Sequence, residues 1–372
     1  MAQGKGTEVR WRRTDIRTGL SQRRLGLPNM GESLEDAQRY RANKALAYQH
    51  GFEEFQRIAT PTTIMGHEYL VHPNVNLYVD MTSACNCRCN FCIARVSFDR
   101  RVKPVSSEWL EYALDVCAVA SPSVQITGGE PTLFPRELME LVAVVNRRRP
   151  RRPVINTNGK NLAQVSAGLR NSAIEHVNIS RHHYNDTTNA QIMGDFAISS
   201  DELARGIRPI QDRVRIQCNM LDHQIDTYDE VMQFIAYCYH KLGVRNISFA
   251  QLTPLPSGSY YDRRILKVVR GAPVDSDPIL ERIEQDSRFA FKKYRGGVAC
   301  YYEVWDFLAY EHPMTVLFKF SDNAWLEKAD ADPILLPDFI LHTDGTLAGS
   351  WCKDRKVLCR CGCEEPTAAR AS

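Results

Sequence analysis

The sequence predicts an α/β fold: a partial (β/α)6 TIM-like barrel with an N-terminal helical extension and a C-terminal β-rich extension. Six short β-type runs alternate with helical segments, which is typical of repeated βα units and a parallel sheet. The length of 372 residues suits one barrel-sized domain plus extensions. The predicted organisation is a flexible arm (1–30), a helical extension (31–74), the barrel (75–255), an extension with a β-hairpin (256–350) and a Cys-rich tail (351–372).

The β runs are NLYVDMT (76–82), SVQITGG (123–129), PVINTNG (153–159), HVNISRH (176–182), VRIQCNML (214–221) and NISFAQL (246–252). The clearest helices begin at Ser107, Pro135 and Thr227, and Gly243 closes the last of these as a C-cap. Near the N-terminus, Ser33 and Asp36 resemble a capping box, and good helix formers continue to Tyr48.

Alternation within the runs separates a polar face from an apolar one. Asn178, Ser180 and His182 share a face, and so do Arg215, Gln217 and Asn219. Helices cover the outside of a parallel barrel, so its outer face must be apolar and the polar face should line the lumen. The alternative is an antiparallel sheet with one solvated face; the helix between successive strands argues against it.

Composition excludes several classes of protein. Apolar residues make up 44% and charged residues 24% of the chain, which is ordinary for a globular protein with a sizeable core. A net charge of +3 is too small to imply a nucleic-acid or membrane partner, and no apolar run is long enough to span a bilayer. The N-terminus lacks the apolar core of a signal peptide, so we expect a cytosolic protein. Twelve cysteines in a reducing compartment indicate metal or redox ligands rather than disulfides.

Four cysteines crowd the stretch CNCRCNFC at 85–92. A closed zinc site usually takes its ligands as two separated pairs, which this segment does not provide. Cys85, Cys89 and Cys92 give the spacing CxxxCxxC, three thiolates that can hold three irons of a [4Fe–4S] cluster and leave the fourth iron open. Cys87 fits no ligand spacing and is interpreted as a bystander.

This CxxxCxxC motif, with Phe91 before its last cysteine and with ITGGEP at 126–131 after the next strand, resembles the radical S-adenosylmethionine (SAM) superfamily over residues 75–255. The motif layout is similar to the molybdopterin-precursor synthase branch. The resemblance implies an enzyme in which SAM binds the open iron and is cleaved reductively to a 5′-deoxyadenosyl radical that takes a hydrogen atom from the substrate. It also implies an electron donor of flavodoxin or ferredoxin type.

The resemblance assigns cofactor-binding positions one by one. Gly128, Gly129 and Glu130 match the segment that receives the SAM amino group, and Phe91 accompanies the cluster. The positions that match contacts to the SAM carboxylate or ribose are Thr157, Asn158, Ser180 and Asn219. A structural role is the alternative for each of these last four.

Substrate residues are predicted from the lumen face: Gln125, His182, Arg215 and Gln217. Arg215 could meet a carboxylate or phosphate. His182 could serve as an acid or base, and the alternative is a hydrogen-bonded structural histidine. The predicted substrate is a polar small molecule, nucleotide- or sugar-like. Carbon–carbon bond formation, epimerisation, dehydrogenation and elimination all stay open.

Two other functions remain as alternatives. One is a peptide-modifying radical SAM enzyme, and the other is a non-enzymatic cluster-binding or RNA-interacting protein. For the C-terminal cysteines we consider a second iron–sulfur cluster, a zinc site or free thiols, and they are Cys300, Cys352, Cys359, Cys361 and Cys363. Strand alternation would place the last three on one side of an extended chain.

Overall fold

The computed structural model describes residues 30–43, 55, 57–92, 103–252, 274–296, 300–321 and 328–361. Within these ranges, no helix combines the length and the apolar character needed to cross a bilayer.

The N-terminal extension contains a helix and a β-hairpin. A short strand, β1 (Met30–Gly31), precedes helix α1 (Leu34–Ala42), and the Ser33 side chain caps this helix by accepting from the Asp36 N–H at 3.3 Å. The helix ends before Tyr48, which lies outside the described residues. The hairpin of β2 (Thr60–Ile64) and β3 (His67–Val71) was missed, because its two turn residues are Met65 and Gly66 rather than the usual Asn-Gly.

Six parallel strands form the centre of the molecule and confirm the predicted barrel strands. They are β4 (Asn76–Asp80), β5 (Ser123–Thr127), β6 (Arg151–Thr157), β7 (His176–Ser180), β8 (Val214–Met220) and β9 (Asn246–Gln251). Each pairs in parallel with the next one along the chain, so the antiparallel alternative is wrong.

Helices connect these strands. They are α2 (Ser107–Val116), α3 (Pro135–Arg148), α4 (Leu162–Arg170), α5 (Asp186–Met193), α6 (Ser200–Ile207) and α7 (Tyr228–Tyr237). Ser106 and Thr227 cap α2 and α7 through their hydroxyl oxygens. A π-helical turn continues α7 to Gly243, whose φ of +66° provides the left-handed C-cap that the sequence predicts.

Burial along the strands confirms the two predicted faces. In β8, Val214, Ile216 and Cys218 are fully buried, whereas the alternating Arg215 and Gln217 are partly exposed. The buried residues of β4 to β9 join the apolar faces of the helices in one core. The other face is therefore a polar lumen that water can reach.

The C-terminal extension continues the same sheet at both ends. Its elements are α8 (Asp277–Gln285), β10 (Phe289–Arg295), β11 (Cys300–Phe307), β12 (Met314–Ser321), β13 (Leu335–Leu336), β14 (Phe339–Leu341), β15 (Thr346–Ala348) and β16 (Val357–Arg360). Strand β12 pairs in parallel with β9, and β14 pairs in parallel with β4. The result is a 13-stranded sheet with eight parallel strands in its centre and antiparallel strands at its edges. Among the described residues, no strand pairing closes this sheet into a barrel.

The predicted hairpin at Asp344-Gly345 is confirmed. Gly345 has φ +82° and donates its N–H to the His342 carbonyl at 3.0 Å, between β14 and β15. Strand β16 then pairs with β15, so the first half of the predicted Cys-rich tail belongs to the sheet.

Candidate functional site

The cysteine loop, residues 81–92, follows the carboxyl end of β4. The Gly129 and Glu130 N–H groups donate to the Thr82 and Ala84 carbonyls at 2.6 and 2.8 Å. On its other side, the Arg88 N–H donates to the carbonyl of Met193 at the end of α5, at 2.7 Å. The loop is thus held between the GGEP segment and a helix terminus.

The two glycines of GGEP allow the cysteine loop to pass directly over them. A Cβ on Gly129 would lie 2.1 Å from the Ala84 carbonyl oxygen, and Gly128 has φ +128°. Both observations exclude a side chain at these positions. The glycine pair therefore has a steric role, since it lets the backbone of the cysteine loop approach closely.

Glu130 joins the GGEP segment to the end of β6. Its side chain is fully buried, and one carboxylate oxygen accepts from the Thr132 N–H at 2.9 Å, the Thr132 hydroxyl at 2.6 Å and the Thr157 hydroxyl at 2.5 Å. The other oxygen accepts from the Asn158 N–H. Burial raises the pKa of Glu130, and these hydrogen bonds oppose that rise. These four hydrogen bonds match the roughly four acceptor positions of a carboxylate, so groups of the chain satisfy Glu130.

The Asn158 side chain supports the cysteine loop from below. Its amide nitrogen lies 2.8 Å from the Asn86 side-chain oxygen, 3.2 Å from Cys87 Sγ and 3.8 Å from Cys85 Sγ. Cys87 is 2% exposed, whereas Cys85, Cys89 and Cys92 are partly exposed. The buried position of Cys87 gives it a packing role in the loop.

His182 is a buried residue that contacts β8 and the cysteine loop, rather than an exposed acid or base. It lies beyond the end of β7, and its Nδ1 accepts from the Asn219 backbone N–H at 3.0 Å. Its ring packs edge-on against Phe91, with centroids 4.8 Å apart. Burial, with a smaller effect of the Arg181 charge, lowers the pKa of His182 to about 3, so the imidazole is neutral at pH 7. The placement of His182 on the lumen face is therefore corrected, because the strand alternation ends at Ser180. These contacts favour the alternative, a hydrogen-bonded structural histidine.

The other predicted residues lie at different depths of the lumen. Ser180 and Asn219 are the inward residues nearest the carboxyl ends of β7 and β8. Gln217 and then Arg215 follow towards the amino end of β8, and Gln125 lies in the middle of β5. Burial lowers the pKa of Arg215. Ser180 and Asn219 therefore lie nearer the carboxyl ends of the strands than Gln125 and Arg215 do.

Several polar residues of the site were missed. Thr132 donates its hydroxyl hydrogen to Glu130. Asn189 Oδ1 accepts from the His182 N–H at 2.9 Å and so fixes the backbone there. Asn76 and Asn156 line the lumen, and extending the period of two along β4 and β6 could have found both.

The donor set fits a [4Fe–4S] cluster. Three cysteine side chains from one short loop are partly exposed at the mouth of the lumen, and soft thiolates are the ligands of such clusters. Burial raises the pKa of Cys89 to about 12, and the neighbouring Cys92 and Cys85 thiols add to this rise. Thiols that oppose one another's ionisation in this way are suited to a bound cationic centre.

The C-terminal cysteines do not behave as a frayed tail over their described part. Cys361 is 5% exposed, contacts the Trp109 carbonyl and donates its N–H to the Gly345 carbonyl at 2.8 Å. The adjacent Cys359 thiol raises the pKa of Cys361, together with burial and the nearby Cys117. Cys363 lies outside the described residues. A second cluster, a zinc site and free thiols therefore stay open as alternatives for these cysteines.

Comparison with known proteins gives consistent results. Residues 79–238 match the family model described as Radical SAM superfamily. A protein of Mycolicibacterium smegmatis named GTP 3′,8-cyclase is 26% identical over 223 residues, which cover 56% of this chain and 57% of that protein. A probable GTP 3′,8-cyclase of Saccharolobus islandicus is 30% identical over 192 residues, covering 50% of this chain and 59% of that protein. The chain thus spans less than two thirds of the length of these relatives.

Solved structures are similar at a lower level. A solved structure of Streptococcus suis SuiB bound to S-adenosylmethionine is 14% identical in sequence and has a TM-score of 0.49. The match covers 90% of this chain and 70% of that chain. Native anSMEcpe with bound AdoMet is 15% identical, with a TM-score of 0.43 and coverage of 78% of this chain and 79% of that chain. Residues 79–238, which contain the cysteine and GGEP motifs, thus match the radical SAM superfamily, a family whose cofactors are a [4Fe–4S] cluster and SAM.

Proposed function

We propose that this chain is a radical SAM enzyme whose substrate is a polar small molecule, nucleotide- or sugar-like, bound in the lumen. The observation that supports this proposal is the contrast between the two faces of the parallel sheet. The outward residues of β8 are fully buried, and the inward Arg215, Gln217 and Asn219 are polar and partly exposed. A barrel interior is normally filled with Val, Ile and Leu, so an open polar one is suited to a polar ligand.

The residues near the carboxyl ends of the strands would bind the cofactors. Cys85, Cys89 and Cys92 would hold the cluster. The GGEP segment would receive the amino group of SAM, as the family resemblance implies. Ser180 and Asn219, at the carboxyl ends of β7 and β8, would hydrogen-bond its ribose or carboxylate. When bound, these cofactors supply the 5′-deoxyadenosyl radical that takes a hydrogen atom from the substrate.

The names of the relatives make GTP the first candidate substrate. Its triphosphate and sugar match a polar lumen that contains an arginine. A flavodoxin or ferredoxin-type protein would supply the electron. The net reaction, among carbon–carbon bond formation, epimerisation, dehydrogenation and elimination, is to be read from the product.

The test is anaerobic incubation of the reconstituted protein with SAM and dithionite, with 5′-deoxyadenosine as the readout. We expect 5′-deoxyadenosine from the wild type and none from Cys85→Ala. Ribose-deuterated GTP is then added, and deuterium in 5′-deoxyadenosine would identify the substrate. Without 5′-deoxyadenosine under any condition, the proposed enzyme class is wrong. Transfer of deuterium only from a peptide would favour the peptide-modifying alternative.

A further inference from the structure

Four amide side chains form a hydrogen-bonded row across the lumen, which we call the amide belt: Asn76, Gln125, Asn156 and Asn178, on β4, β5, β6 and β7. Gln125 donates to Asn76 at 3.1 Å, Asn156 donates to Gln125 at 3.5 Å, and Asn178 donates to Asn156 at 2.9 Å. At the β4 end, Asp338 Oδ1 accepts from both the side-chain amide and the backbone N–H of Asn76, at 2.8 and 3.1 Å.

The acceptor at the β4 end sets the direction of the whole belt. An ionised carboxylate can only accept, so Asn76 must turn its NH₂ group towards Asp338 and its oxygen towards Gln125. Gln125 must then turn its NH₂ group towards Asn76 and its oxygen towards Asn156. Asn156 in turn must direct its NH₂ group towards Gln125 and its oxygen towards Asn178. At the other end, the belt must therefore present the carbonyl oxygen of Asn178.

That oxygen has no hydrogen-bond partner. Asn178 is 6% exposed, and its Oδ1 is one of three buried side-chain polar atoms without a partner among the described residues. Buried acceptors in native proteins are nearly always satisfied, so an unsatisfied one that lines a lumen indicates a missing donor.

Arg215 is the direct neighbour of Asn178 on β8 in the strand register. Within the described part of the chain its guanidinium makes no hydrogen bond and no ion pair. Burial, and after it the Arg215 charge, lowers the pKa of His176 on the neighbouring strand β7. A half-buried arginine without a carboxylate is costly unless an anion from outside the chain pairs with it.

We propose that Asn178 and Arg215 form a ligand subsite in the lumen for an anionic small molecule that carries an O–H or N–H donor beside its carboxylate or phosphate. Arg215 binds the anionic group, and the buried Asn178 oxygen accepts from the neighbouring donor. Asn178 lies in the middle of β7 and Arg215 near the amino end of β8, so the subsite would hold the part of the substrate remote from the cysteine loop. The statement that the subsite holds part of the substrate rests on the proposed function.

Three small anions test the subsite in the reconstituted protein at constant ionic strength and pH 7. Inorganic phosphate and glycolate each carry an O–H beside the negative charge, and acetate has the carboxylate without the donor. Ligand-observed NMR gives the dissociation constants. For the wild type we expect phosphate or glycolate, or both, to bind at least tenfold more tightly than acetate; the stronger of the two indicates which anionic group the substrate carries.

Variants separate the two partners. Arg215→Gln should weaken binding of all three anions at least tenfold, whereas Arg136→Gln, at a position with an 81% exposed side chain, should change nothing. Asn178→Ala should remove the preference for glycolate over acetate and leave acetate binding unchanged. If Arg215→Gln does not fold, Arg215→Lys replaces it and should keep anion binding with reduced affinity.

Equal binding by wild type and Arg215→Gln, or equal binding of all three anions to the wild type, would overturn the subsite. Formation of 5′-deoxyadenosine without substrate is measured on the wild type in the same samples. If the wild type binds the anions and cleaves no SAM, the proposed function fails and the subsite stands. If it cleaves SAM and binds no anion, the subsite alone fails.

Discussion

Two polar networks lie on the same parallel sheet and differ in how they end. At the carboxyl ends of the strands, the Glu130 carboxylate accepts four hydrogen bonds from Thr132, Thr157 and Asn158, and Asn158 in turn supports the cysteine loop. Deeper in the lumen, the amide belt is satisfied at Asp338 and unsatisfied at Asn178.

The difference separates scaffold from binding surface. Where polar groups of the chain satisfy one another, they fix the backbone that carries the cofactor ligands, and their loss should cost stability. Where a polar group and a charge are left without partners, their loss should cost little stability and should change what the lumen binds. Each prediction below tests one side of this contrast.

The largest effect is expected at the thiols. Cys85→Ala, Cys89→Ala or Cys92→Ala should abolish both the absorbance of the reconstituted cluster and all SAM cleavage, because a cluster held by three cysteines cannot lose one. Cys87→Ala is the matched control within the same loop and should keep both. Loss of the cluster in the Cys87 variant would overturn the ligand assignment.

Glu130→Gln should destabilise the protein by about 3 kcal/mol, since an amide cannot accept the four donors that converge on the carboxylate. The free energy of unfolding is measured by urea titration of the apo protein. Glu140→Gln, with a 53% exposed side chain, is the control and should change little.

Asn178→Ala should cost at most about 1 kcal/mol, because it removes an unsatisfied acceptor along with one donor. Equal losses at Glu130 and Asn178 would break the contrast between the networks.

A pH titration tests His182 as part of the scaffold. Its pKa in the folded protein, about 3, lies below the usual value in an unfolded chain of about 6.5. The unfolded state therefore takes up the proton first, and stability should fall as the pH drops below about 6.5. Relative to His182→Gln, the wild type should lose about 1 kcal/mol between about pH 7.5 and 5.5. A pH-independent difference between the two proteins would show that folding leaves the pKa of His182 unchanged, which would contradict its buried, neutral state.

The smallest effect is expected at the C-terminal thiols. Point changes are used to test these thiols, because β16 pairs with β15 and Cys361 is buried against the core, so that removing the segment would disturb the sheet. With a single cluster, Cys359→Ala combined with Cys361→Ala should keep about four irons per chain and retain SAM cleavage. About eight irons in the wild type and four in the variant would instead identify these thiols as ligands of a second cluster.

Local periodicity was sufficient to predict the central strands and the polar lumen. In β8 the burial alternates residue by residue from Val214 to Met220, because successive side chains of a strand point to opposite faces. The same rule failed at His182, since it was applied one residue pair beyond the end of the strand. The glycine pair and the cysteine spacing were informative because each imposes a steric or coordination requirement that few other sequences meet.

Partners distant in the sequence could not be predicted in this way. Asn76 and Asp338 are 262 residues apart, and no local pattern indicates that β14 would pair beside β4. The β2–β3 hairpin gave only a weak turn signal, Met65-Gly66. The unsatisfied oxygen of Asn178 is likewise a property of the assembled lumen, because it depends on the orientation of three other amides.

The common direction of the belt has an electrostatic consequence. Four amide dipoles joined donor to acceptor add together, and hydrogen bonds in series polarise one another. The negative end of this combined dipole is the Asn178 oxygen, and the carboxylate of Asp338 stabilises the positive end. An acidic residue of the C-terminal extension therefore strengthens a hydrogen-bond acceptor three strands beyond Asn76, without contact between the two. Burial raises the pKa of Asp338 to about 6, against the opposing effects of Asn76 and Lys319, so mild acid would weaken this acceptor from a distance.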